Sequence, residues 1–190
     1  MCRHSDDVDV AQLGIIEDCA VWLPLEDLRH SRDATLVGAL GGVADDLLIP
    51  TDGSEPAAAA VSHGIAIAEA IGARIHAVNI IDADALAPTP EHTAPKKLLD
   101  RFEAEGERTT GEIATRATNA GVDVTTSVRE GYPTRDLLAY ADAHNIDLIA
   151  MGTTGQTNLN RYLLGSTAER VIRHAEVPVL AVNAKGSMKR

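Results

Sequence analysis

The chain has 190 residues, a length that suits one domain able to bury a core without disulfide or metal staples. Its apolar share is 45% with only 3% aromatic, so Val, Ile, Leu and Ala supply the core, as they do where parallel strands lie under helices. A formal net charge of −11 argues against a general nucleic-acid or anionic-membrane surface and reads as a solvated acidic exterior.

Residues 1–43 show no sustained helical or strand period. The first forty carry a charge of −5, three Arg against eight Asp and Glu, together with Cys2, Cys19 and the single Trp. The two cysteines make no CxxC or metal spacing. This segment is expected to be an N-terminal extension: disordered, a small add-on element, or sequence upstream of the true start, with Val43 as the initiator if its codon were GTG. No basic-then-apolar leader begins at Met1, and no apolar run approaches the roughly 20 residues that span a bilayer, so the expected location is cytoplasmic.

Regular patterning begins at Ala44 and defines a domain over 44–184, with 185–190 as a flexible C-terminal tail. DLLIP (46–50) is a short buried strand stopped by Thr51-Asp52-Gly53. Residues 54–71 predict a helix, with Ser54 able to cap it, Pro56 tolerated in its first turn and Gly72 ending it. ARIHAVNIID (73–82) is a second strand, and a Pro-rich surface loop follows. Residues 96–120 predict a long amphipathic helix. VDVTTSVREG (122–131) is a third strand, 133–144 a third helix and IDLIAMG (146–152) a fourth strand. Residues 166–175 give the last helix and VPVLAVN (177–183) the last strand. Strands separated by helices run parallel, so the pattern predicts an α/β fold: an open doubly wound five-stranded parallel sheet with helices on both faces. Ligands bind such sheets beyond the carboxyl ends of the strands, where strand order reverses. The loops that matter are therefore 50–54, 80–84 and 151–166.

The last of these reads MGTTGQTNLNRYLLGST (151–167), a Gly-x2-Gly-x9-Gly-Ser pattern running from a strand end into a helix. Glycines let backbone N–H groups approach an anion closely, and a helix start adds orphan donors and partial positive charge. Gly152 and Gly155 also suit a simple turn, and Ser166-Thr-Ala-Glu169 is also a capping box, so Ser166 is either a helix cap or a ligand contact. Arg161, inside the loop, is either a phosphate contact or a solvated side chain. Asp52 can accept hydrogen bonds from ribose hydroxyls or form an Asx turn. Ile80 can lend backbone groups and an apolar wall to a purine, or simply be core.

IPTDGSE (49–55), the strand ending NIID (79–82) and MGTTGQTNLNRYLLGSTAERVIRHAEVPVLAV (151–182) together resemble the universal stress protein family, over about Ala44 to Val182. The complete Gly-x2-Gly-x9-Gly-Ser spacing is the pattern that marks ATP-binding members of that family. The resemblance implies an adenine nucleotide alpha hydrolase-like fold and an adenine-nucleotide ligand, ATP with or without Mg2+. It implies that Pro50, Thr51, Asp52 and Ile80 contact adenine and ribose. Met151, Gly152, Gly155, Gly165, Ser166 and Thr167 would line the ribose and phosphates. It further implies a homodimer through the last strand, which would invite pairing if it lay at the sheet edge.

Other chemistries lack their motifs. There is no GxxxxGK[ST], no GxGxxG after the first strand, no GxSxG and no HExxH. A phosphoacceptor receiver domain needs an Asp ending its third strand, and here that strand ends Val128-Arg129-Glu130. The histidines share no ligand spacing, so no metal site is expected. Two functions remain: a stress-response module that binds ATP as a structural or signalling ligand, and a slow ATPase or phosphotransferase using the same pocket. No general base or catalytic lysine is evident near the loop, which favours the binding module.

Overall fold

The structure is a computed structural model that describes residues 10–16, 19–24, 44–86, 95–153 and 164–183, the first two segments by their backbone. In chain order the strands are β1 (Val10–Ile16), β2 (Cys19–Pro24), β3 (Asp46–Pro50), β4 (Arg74–Asp82), β5 (Val124–Gly131), β6 (Leu148–Gly152) and β7 (Val179–Val182). The helices are α1 (Glu55–Ile71), α2 (Pro95–Asn119), α3 (Pro133–Ala143) and α4 (Ser166–His174), with a 3-10 turn over Ala83–Leu86 after β4. The strands form one sheet in the order β1-β2-β7-β6-β3-β4-β5. The five strands from β3 onward are mutually parallel, the predicted α/β arrangement.

The short central strands are buried on both faces because successive side chains point to opposite sides and helices cover each. Leu47, Ile49, Ile75, Ala77, Leu148 and Ala150 face α1 and α2. Leu48, Val78, Ile149, Met151, Val179 and Ala181 face α3 and α4. Helix α1 starts where predicted: Ser54 Oγ accepts from Ala57 N at 3.3 Å. It ends on Gly72, whose φ of 77° is the left-handed conformation that glycine adopts without a steric penalty.

Two features lie outside what the sequence pattern indicates. Strands β1 and β2 form an antiparallel hairpin within a segment that shows no strand period. Strand β2 then pairs antiparallel with β7, setting Cys19 opposite Val182 and Trp22 opposite Val179. The last strand therefore lies between β6 and β2 and is not a sheet edge, which corrects the premise for dimerisation through it.

Candidate functional site

The chain leaves β3 for β4 and β5 on one side of the sheet, then returns to add β6 and β7 on the other. Strand order thus reverses between β3 and β6, and a crevice opens beyond their carboxyl ends. A cavity of about 530 Å³ lies there. Of the residues singled out in sequence, Pro50, Thr51, Asp52, Ile80, Met151, Gly152, Gly165, Ser166 and Thr167 all line it. Gly155 lies outside the described residues, as does Arg161.

Strand β3 ends at Pro50 opposite Val78, and Thr51 N donates to the Val78 carbonyl at 2.9 Å. Strand β4 continues to Asp82 with only β5 alongside. Backbone polar groups of alternate residues in a parallel strand face the same neighbour, so those of Ile80 face the way Val78 does, into the crevice. Asn79 Nδ2 donates to the Thr51 carbonyl at 2.7 Å and holds the loop after β3 against β4. Asp52 Oδ1 accepts from Ser54 N at 3.0 Å, so the Asx turn forms with the carboxylate still on the cavity wall.

On the other side, Thr153 N donates to the Val182 carbonyl at 2.8 Å, and Gly165 N donates to the Thr153 carbonyl at 2.7 Å. The ends of the glycine loop are thereby brought together beside β7. The helix cap is Gly165, with no side-chain cap bond, and Ser166 is the first helical residue. The anticipated capping box does not form: Glu169 N bonds the Gly165 carbonyl, and the Ser166 side chain is exposed toward the cavity. The first N–H groups of α4, at Ser166, Thr167 and Ala168, have no partner within the helix. All three residues line the cavity.

Charge is divided across this space. Asp52, Asp82 and Glu105 lie on the β3, β4 and α2 side, whereas the start of α4 and its hydroxyls lie on the β6 and β7 side. Glu105 takes a forked pair of bonds from Arg108, Nε to Oε2 at 3.0 Å and Nη2 to Oε1 at 2.5 Å. That hydrogen bonding holds the Glu105 carboxyl below the usual carboxylate range, so it stays an acceptor. Sequence reasoning missed Asn79, Asp82, Phe102, Glu105, Gly106, Pro133 and Leu137 on the wall. The α2 members carry no local signal, because a helical period does not reveal which turn overhangs a crevice. Buried His76 serves elsewhere, at the amino end of the strands, between Asp46 Oδ1 at 2.9 Å and the Tyr140 hydroxyl at 3.0 Å.

Residues 44–183 match the Universal stress protein family. The chain belongs to the universal stress protein family. It is 37% identical over 136 residues to universal stress protein MJ0531 of Methanocaldococcus jannaschii, covering 72% of this chain and 80% of that one. Among solved structures it is similar to universal stress protein UspA from Lactobacillus plantarum, with a TM-score of 0.67 and 28% identity. That match covers 74% of this chain and 98% of that one. A universal stress protein solved in complex with cAMP shares the fold, with a TM-score of 0.55 and 24% identity over 75% of this chain and 99% of that one. The five-stranded parallel part of the sheet is thus the universal stress protein fold, and the β1–β2 hairpin lies outside the matched span.

Proposed function

We propose that this universal stress protein binds an adenine nucleotide, with ATP as the ligand, and acts as a binding module in a stress response. The observation that carries the reading is the division of the crevice into two chemically different ends. A nucleoside carries hydroxyls and an exocyclic amine, which carboxylates and backbone acceptors satisfy. Asp52 and the backbone of Ile80 would take the ribose and the purine edge. A phosphate chain carries negative charge, which three carboxylates would repel and a helix start stabilises. Gly165, Ser166 and Thr167 would receive it. Among the described residues no three ligating side chains gather for a metal ion, so Mg2+ would arrive on the phosphates and keep most of its waters. Assembly as a homodimer through the last strand would require β2 to leave β7.

Mass spectrometry of the small molecule released on denaturing the purified protein, followed by calorimetric titration with ATP, ADP, AMP and cAMP, tests this reading. Asp52→Ala should weaken ATP binding by about 10- to 100-fold, the effect of losing a hydrogen bond to a charged group. A wild-type protein that binds no adenine nucleotide at millimolar concentration sinks the proposal.

A further inference from the structure

Helix α2 runs antiparallel to the strands it connects, so its first turns lie beyond the carboxyl edge of the sheet. Its inner stripe is Phe102, Gly106, Thr109, Thr110, Ile113 and Ala117. Every member from Gly106 onward is buried against the sheet. At Gly106 the approach is so close that a Cβ would stand 2.7 Å from Asn79 Oδ1 and 2.9 Å from Val128 Cγ1. One turn earlier the same stripe presents Phe102, the only Phe in the chain, and it is 37% exposed. Strand β3, which pairs with β4 only as far as Val78, has ended by that level, and the ring borders the cavity with Ile80, Ile81 and Ala85. An inward-facing aromatic ring therefore has open space where the helix's later turns have core. Beside it, Arg108 fixes the Glu105 carboxylate, whose negative charge would repel a phosphate. The ring thus lies on the nucleoside side of the crevice, where a flat uncharged partner fits and an anion does not.

We propose that Phe102 is a base-stacking residue that seats the nucleobase of the bound nucleotide. The proposal rests on the nucleotide-binding reading and adds to it a wall of the site supplied by α2. Base–aromatic stacking has a defined magnitude, and Phe102→Ala should weaken ATP binding by about 5- to 100-fold. AMP should weaken by the same factor, because the two ligands share the base and differ only at the phosphates. Phe102→Tyr should restore affinity, Phe102→Leu should restore only part of it, and thermal melts of the ligand-free variants should match wild type. Titration of these variants with ATP and AMP decides the matter. Wild-type affinity in Phe102→Ala, or a loss for ATP without one for AMP, overturns this proposal and leaves the nucleotide-binding reading standing. Full recovery by Phe102→Leu overturns it too, since any apolar filler would then serve. Failure of the wild type to bind either nucleotide overturns both.

Discussion

At Gly152 a Cβ would stand 2.7 Å from the carbonyl carbon of Pro56 and 2.8 Å from Ala57 N. Those atoms belong to the first turn of α1, so nothing there can swing aside as a side chain would. The residue is glycine because two backbone segments touch, whatever ligand the crevice holds. Gly152→Ala is expected to lower stability by about 1–3 kcal/mol, the usual range for overpacking a tight site. Denaturant unfolding without nucleotide checks this, and an unchanged midpoint would mean the helix start can retreat. This residue also shows where sequence reading stops. A glycine at a strand end looks the same whether it admits a phosphate or a helix, and only the neighbour's position separates the two.

Among elements, α1 and α4 begin differently although both start near a serine. Ser54 Oγ takes the Ala57 N–H, so Ser54→Ala should cost about 1 kcal/mol of stability. Ser166 is the first residue of its helix and caps nothing, so Ser166→Ala should melt like wild type and report on ligand binding alone. Paired thermal melts of the two variants test the contrast, and a matching loss in both would restore the capping box. The five parallel strands and the four described helices were legible because short apolar runs alternate with longer amphipathic ones, and Ser54 and Gly72 mark the ends of α1. The β1–β2 hairpin was not. Its register shifts between Gln12 and Gly14, and such an irregularity breaks the two-residue alternation by which an edge strand is read. The strand-end loops of the site were legible from their position after strands. Its α2 wall was not, since the burial of Gly106 and the exposure of Phe102 follow from where β3 stops beside β4.

For the whole molecule, the hairpin decides which edge of the sheet is open. With β2 in place, Val179–Val182 has a strand on both sides. Removing residues 1–43 strips β2 away and leaves an uncharged strand, VLAV, as an edge that invites pairing. The remaining span is the one that matches the family, and the UspA relative fills 98% of its own chain with it, so it is expected to fold. Light scattering should then show a dimer for the shortened chain and a smaller species for the full one. A shortened chain that stays monomeric would send any interface elsewhere. A different consequence follows from the contact between the end of β6 and the start of α1. Backbone meets backbone there, so the gap between the two halves of the sheet has no slack. A ligand that reaches this point meets a wall already set, and Gly152, Pro56 and Ala57 need no ordering to receive it. Along that edge discrimination is a matter of fixed width: a molecule matches the gap at Gly152 as it stands, or the first turn of α1 must retreat.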